Sequence, residues 1–283
     1  MECDLENIKV NYEICGEGNP IIFLHGYYFG ASLQDWLETV EPFFKDRNNW
    51  KRVYIDLPGM GKTPGANWIK SSDDYLDVVI RFIDKLLPDQ KFILVGYSYG
   101  AYLAQGVENK KSEYIEGLCL LAPATRRRPD RNTPEHVVLI ENKQLLAELP
   151  PDVAEGIAGS FVVQDRKLID SIKGSLGKPT LGDEDFLNRF SESGTLYFSF
   201  DVEKPDQKFG KPTLIVTGRQ DSVVGYQDQW LILENYPRAT FTVLDRAGHW
   251  LMMEQEQLFI ALFNEWLDRV QEQMGRSTKK VFV

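Results

Sequence analysis

Gly96-Tyr97-Ser98-Tyr99-Gly100 follows the apolar run Phe92-Ile93-Leu94-Val95 and opens into a helix-compatible segment. A G-x-S-x-G pattern between a strand and a helix describes a sharp turn, and a chain that turns so tightly leaves no room for side chains at the flanking positions. Small residues on both sides of Ser98 are then a steric requirement, and the serine is pushed out at the edge of the sheet. In a loop the same five letters would mean nothing, so the reading rests on the strand before them and the helix after them.

Working outward, Lys9-Val10-Asn11-Tyr12-Glu13-Ile14 alternates like a half-buried strand, and Ile21-Ile22-Phe23-Leu24 is apolar throughout, like a strand covered on both faces. Trp36, Val40 and Phe43 or Phe44 keep helical spacing before the next strand, Arg52-Val53-Tyr54-Ile55. Ser71 and Ser72 can cap a helix whose face is Leu76, Val79, Phe82 or Ile83, and Leu86. Downstream of Ser98 the spacing predicts a helix over Tyr102 to Glu108 and a strand over Gly117 to Leu121. From Ala124 to Gln207 no strongly apolar strand is evident, and the segment reads as a helical insertion. Strands resume at Thr213 to Val216 and Thr240 to Leu244, with a helix through Trp230, Leu231, Leu233 and Tyr236 between them. A final helix carries the stripe Leu258, Leu262, Trp266 and Val270, and Met274 to Val283 has no assignable pattern. Alternating strands and helices imply a mostly parallel sheet with helices on both faces, which binds ligands at the C-terminal ends of its strands.

The totals exclude several classes. The 283 residues are 43% hydrophobic and 26% charged, and no apolar run approaches the roughly 20 residues of a membrane span. Lys and Arg number 32 against 42 Asp and Glu, a net charge of -10 that disfavours nucleic acid and anionic membrane as partners and favours a small molecule. The acidic start, Met1-Glu2-Cys3-Asp4, is unlike a secretory signal, and a cytoplasmic protein is expected. Cys3, Cys15 and Cys119 read as free thiols, with Cys119 filling the core. Only His25, His136 and His249 are present, so no metal site built from histidines is expected.

A serine hydroxyl needs a base to take its proton and a third group to hold that base in the right tautomer. His249, in Ala247-Gly248-His249-Trp250 just after the last strand, is the natural base; His136 falls in the insertion and reads as a surface residue. Asp221, after the strand ending at Val216, completes the order Ser98, Asp221, His249 that marks α/β-hydrolases. Asp245 and Asp56 also follow strands and read as turn residues. Acyl transfer needs donors for an oxyanion: the Tyr99 backbone N–H by position, and the Tyr27 N–H from the loop His25-Gly26-Tyr27-Tyr28-Phe29-Gly30. Tyr28, Phe29 and Trp250 are candidates for an aromatic substrate pocket, each also readable as core packing. Arg126, Arg127, Arg128 and Arg131 could grip a substrate carboxylate, or form a solvated face.

With Asp56-Leu57-Pro58-Gly59-Met60-Gly61, Gly218-Arg219-Gln220-Asp221, and Gly248-His249 followed by Glu254, the chain from Lys9 to Gln273 resembles α/β-hydrolase-fold serine hydrolases of the small, capped, cofactor-free kind. The resemblance implies a core over 1–123 and 208–283 and a lid over 124–207, inserted after the sixth strand and roofing the pocket. Haloalkane dehalogenases and epoxide hydrolases place Asp where Ser98 stands. His25-Gly26-Tyr27-Tyr28 lacks the Gly-Gly-Gly run of hormone-sensitive-lipase-like esterases and the Gly-Gly-Pro of proline iminopeptidases, and Tyr97 replaces the Asn that often precedes serine in meta-cleavage-product hydrolases. Hydrolysis of a small ester, lactone or thioester is the leading expectation, with carbon–carbon bond hydrolysis second and a ligand-binding sensor with little turnover as a different class. Monomer and homodimer are both open.

Overall fold

The computed structural model describes residues 1–125, 131–173, 181–193 and 196–280, so the Arg126-Arg127-Arg128 run lies outside the described residues. Eight strands form one sheet: β1 (Glu2–Asp4), β2 (Lys9–Cys15), β3 (Asn19–Leu24), β4 (Trp50–Ile55), β5 (Phe92–Tyr97), β6 (Ile115–Leu121), β7 (Thr213–Gly218) and β8 (Ala239–Leu244). Their order is β1-β2-β4-β3-β5-β6-β7-β8, with β1 and β2 antiparallel to their neighbours and all other pairs parallel. The central strands β5, β6 and β7 are buried at every position, which is why they read as unbroken apolar runs. β1 is three residues long, too short for any periodicity.

Among the described residues ten α-helices connect and cover the strands: α1 (Leu33–Val40), α2 (Ser72–Leu86), α3 (Tyr99–Lys111), α4 (Lys143–Leu146), α5 (Pro151–Ser160), α6 (Arg166–Lys173), α7 (Glu184–Glu192), α8 (Gln227–Leu231), α9 (Leu251–Glu254) and α10 (Glu256–Lys280). Ser32 with Asp35 and Ser71 with Asp74 form capping boxes at the starts of α1 and α2, each cap contributing about 1 kcal/mol. Of the two serines before α2, Ser71 is the cap and Ser72 the first helical residue, buried, with its Oγ 2.8 Å from the Tyr99 hydroxyl.

Two helix faces differ from the sequence expectation. In α10 the buried stripe is Phe259, Phe263, Trp266, Leu267 and Val270, whereas Leu258 is 52% exposed. Edge-on contacts of Phe43 with Phe259 and Phe44 with Phe263 set the rotation of the helix, so the phenylalanines displace Leu258 from the core while Leu262 packs against its edge. The helix also runs on to Lys280, through the stretch that showed no pattern. Between β7 and β8, α8 is only five residues long and a 3-10 turn over Leu233–Asn235 follows, so Ile232 and Tyr236 are buried while Trp230 and Leu231 are exposed.

Between β6 and β7 the described chain forms α4 to α7 and no strand longer than an isolated bridge. This stretch packs in two parts. Leu145, Ile157, Phe161, Leu168 and Ile169 make a small apolar cluster of their own, against which Trp250 packs. Phe186, Leu187 and Phe190 of α7 join the main core instead. Cys119 is fully buried in β6, and the three cysteines are free thiols. No described helix is long and apolar enough to cross a membrane.

Candidate active site

Ser98 stands between β5 and α3 with φ 54° and ψ -116°, a backbone region that costs a non-glycine residue about 1–3 kcal/mol. Hydrogen bonds hold it there: its N–H donates to the Leu121 carbonyl at 2.9 Å, and its carbonyl accepts from Ala101, Tyr102 and Ala124 at 3.1, 3.1 and 3.2 Å. A side chain at Gly96 would place its Cβ 2.4 Å from the Gly100 carbonyl oxygen, on the following helix. At Gly100 a Cβ would sit 2.2 Å from the Leu24 oxygen and 2.4 Å from that of His25. The second glycine therefore makes room for the loop after β3, and so brings the Tyr27 and Tyr99 loops together.

His249 lies between Ser98 and Asp221. Its Nε2 is 2.9 Å from Ser98 Oγ, and its Nδ1 is 2.8 Å from Asp221 Oδ2. The fully buried Asp221 carboxylate also accepts the N–H groups of Val223 and Val224 on Oδ1, at 2.8 and 2.9 Å. A carboxylate facing Nδ1 requires that nitrogen to carry the proton, which leaves the Nε2 lone pair to accept the serine hydroxyl. The end of β7 reaches the histidine loop because Gly218 has no side chain: a Cβ there would lie 2.1 Å from the Gly248 oxygen. The Tyr97 hydroxyl donates to the His249 carbonyl at 3.2 Å, adding a further hold on that loop.

Glu254, buried near the start of the last helical stretch, accepts the Gly248 N–H on Oε2 and the Val162 N–H on Oε1, both at 2.6 Å. Burial raises its carboxyl above the ordinary value, against the opposing pull of those backbone donors. It thus joins the residue before His249 to the segment between β6 and β7. The sequence shows Glu254 only as a nearby acid, since its partner is a backbone amide far away in the chain.

The other titratable candidates, Asp245 apart, have structural partners. His25 is buried, its Nε2 accepting the Leu57 N–H at 3.0 Å and its Nδ1 donating to the Gly26 carbonyl at 2.7 Å, so it props the Tyr27 loop. Asp56 accepts from Leu33 N, Lys62 N and Asn11 Nδ2 at 2.7 to 2.8 Å, tying α1 to its own turn. Asp245 is exposed on the turn after β8. His136 is half-buried, with Nε2 2.9 Å from the Ala158 carbonyl oxygen.

A cavity of about 270 Å³ opens beside Ser98 and His249. Tyr27, Tyr28, Tyr99 and Trp250 line it. Phe29 does not: Tyr28 O accepts the Ala31 N–H at 3.1 Å, Gly30 has φ 97°, and the turn so formed leaves Phe29 41% exposed at its corner. Tyr97, Tyr102, Thr125, Arg131 and Tyr197 line the cavity as well. Of these, Tyr102 was legible as the residue one helical turn after Ser98, and Tyr197 had no local signal. Burial holds the Tyr27, Tyr28, Tyr97 and Tyr99 phenols above their usual range and pushes Tyr102 up to about 12, so all enter chemistry as neutral groups. Among the described residues neither the Tyr27 nor the Tyr99 amide donates to a protein acceptor. A smaller cleft of about 160 Å³, lined by Lys167, Glu254 and Glu256, contains no serine, threonine, cysteine or histidine.

Comparison with known proteins agrees with this arrangement. The chain is 24% identical over 263 residues to a pimeloyl-[acyl-carrier protein] methyl ester esterase of Legionella pneumophila, covering 92% of this chain and all of that one. It is 25% identical to a 2-hydroxy-6-oxononadienedioate/2-hydroxy-6-oxononatrienedioate hydrolase of Burkholderia vietnamiensis, over 94% of this chain and 93% of that one. The crystal structure of an alpha/beta superfamily hydrolase from Oenococcus oeni superposes with a TM-score of 0.83 at 28% identity, covering 96% and 99% of the two chains. The sequence profile of the alpha/beta hydrolase family matches residues 21–262, and with the sheet order and the strand-turn-helix at Ser98 it makes this protein a member of the alpha/beta hydrolase family, a hydrolase by fold and by kinship.

Proposed function

We propose that Ser98, His249 and Asp221 hydrolyse a small carboxylic ester, lactone or thioester by two-step acyl transfer. The observation that carries this reading is the relay Ser98 Oγ to His249 Nε2 at 2.9 Å and His249 Nδ1 to Asp221 Oδ2 at 2.8 Å. As Ser98 Oγ attacks the carbonyl carbon, its proton passes to Nε2, and the carbonyl electron pair moves onto the oxygen. The Tyr27 and Tyr99 amides stabilise that oxyanion, each donor lowering the barrier by about 3 kcal/mol. Collapse breaks the bond to the leaving group, which takes the proton from Nε2 and departs. Water then attacks the acyl-serine, giving a proton to Nε2, and a second collapse releases the acid as Ser98 Oγ recovers its proton.

The segment 124–207 acts as the lid over this cavity, and Tyr28 and Trp250 shape the substrate pocket. The free thiols suit a reducing compartment and support a cytoplasmic reading. Hydrolysis of a carbon–carbon bond by the same residues is the second reading, supported by the likeness to the Burkholderia hydrolase. Short-chain nitrophenyl esters test the first reading: Ser98→Ala should lower turnover by about 10⁴ to 10⁶. Equal turnover in that variant would sink it, and a parent protein that binds ligand with a large thermal shift but releases almost no product would be a sensor.

A further inference from the structure

Four of the phenols around the cavity are already paired with protein groups. Tyr27 donates to the Leu187 carbonyl at 2.7 Å, Tyr28 to Asp35 Oδ2 at 2.7 Å and Tyr97 to the His249 carbonyl at 3.2 Å, while the Tyr99 hydroxyl pairs with Ser72 Oγ at 2.8 Å. They present rings, not hydroxyls, to a ligand. Against this aromatic surface, besides Ser160 and Ser222, stand two groups on the chain that leaves β6. Thr125 is only 5% exposed, lines the cavity, and its Oγ1 has no hydrogen-bond partner among the described residues. A buried hydroxyl without a partner is unfavourable, and a ligand acceptor would recover that loss.

Arg131 is the one permanently charged side chain lining the cavity among the described residues. Its position is built. Nη1 reaches the Val223 carbonyl at 3.4 Å, and the next residue, Asn132, donates its N–H to Asp228 Oδ2 at 2.8 Å. The Asn132 carbonyl lies against Gly225, where a Cβ would be 2.3 Å away. Arg131 is therefore fastened to the loop that begins at Asp221, a few residues from the group that orients His249.

We infer that this cavity is built for an ester that carries a carboxylate on an apolar body, with the Arg131 guanidinium and the Thr125 hydroxyl receiving the carboxylate and the tyrosine rings receiving the body. The inference rests on the hydrolase reading above and names its substrate class. A planar guanidinium matches a carboxylate in a two-point fork. In a chain of net charge -10, a local cation is also what an anionic substrate needs in order to dwell there.

The test compares 4-nitrophenyl hexanoate with two charged relatives: the 4-nitrophenyl half-ester of adipate, charged in the acyl part, and 3-carboxy-4-nitrophenyl hexanoate, charged in the leaving group. At least one charged ester should exceed the neutral one by about tenfold or more in kcat/KM, mainly through KM. Arg131→Gln should erase that preference, while Thr125→Val should weaken it in part. The idea is overturned if neither charged ester is preferred, or if Arg131→Gln lowers all three esters alike. Free adipate and hexanoate are also titrated against Ser98→Ala by thermal shift. Adipate should stabilise it more than hexanoate does, and Arg131→Gln should remove the difference. If the parent turns over no ester, the hydrolase reading fails while this binding arm still decides the anion site.

Discussion

Asp221→Asn separates the chemistry of the relay from its geometry. The two side chains have nearly the same shape, so the fold should survive. In the native protein Oδ1 accepts two backbone N–H groups, from Val223 and Val224, while Oδ2 faces His249 Nδ1. An asparagine has one oxygen. Turning its amide group toward Val223 and Val224 would leave the buried Val224 N–H unpaired, at about 1–3 kcal/mol, and the part-buried Val223 N–H with it, so the oxygen stays with them and the NH₂ group faces Nδ1. Nδ1 must then offer a lone pair, the imidazole proton moves to Nε2, and Nε2 can no longer accept the Ser98 proton. The expected loss in kcat is about 10⁴, or about 5.5 kcal/mol of barrier. KM should stay within about threefold, because Asp221 does not line the cavity. Steady-state hydrolysis of 4-nitrophenyl hexanoate reads both constants, with thermal melting as the control for folding and Asp245→Asn as the control for position. If Asp221→Asn keeps more than about a tenth of the parent kcat while Ser98→Ala is inactive, the tautomer argument is wrong.

Glu108 in α3 is buried, and burial pushes its carboxyl up to about 7 from 4.5. The folded chain holds that proton more tightly than the unfolded chain, so the associated stability is full below about pH 4.5 and is lost as pH rises through about 7. The gap corresponds to about 3 kcal/mol above pH 8, and Glu108→Gln should raise the melting temperature at about pH 8 while changing it little at about pH 4; equal shifts at the two pH values would contradict this. Glu254→Gln replaces one of two oxygens with a donor that faces either the Gly248 or the Val162 N–H. A loss of about 1–3 kcal/mol in denaturant unfolding is expected, with a fall in kcat as the His249 loop loosens. Unchanged stability and unchanged turnover would mean that the carboxylate bridge holds nothing.

Local rules made much of this protein legible before any coordinates. The central strands are apolar on both faces, α2 announces its own cap, and the elbow at Ser98 is a five-residue steric problem with glycine as its answer. In each case the interacting atoms belong to residues close in the chain, so residue type and spacing carry the physics. Chain order also placed His249 and Asp221 after the last two strands, where a parallel sheet gathers its loops.

Other features belong to tertiary structure alone. Phe259 and Phe263 displaced Leu258 from the core because Phe43 and Phe44 lie opposite them, and a helical period cannot tell two adjacent stripes apart when both are apolar. Phe29 turned outward at a corner that only the Tyr28 to Ala31 hydrogen bond defines. Glu254 found its partner at Val162, and Arg131 found the loop after Asp221, through contacts about 90 residues apart in each case. Sequence by itself determined which local shapes the chain takes and which chemical groups stand at the strand ends. Which of those groups meet, and what surrounds the serine they serve, was decided by packing, since burial and hydrogen-bond partnership depend on elements the chain brings together only when it folds.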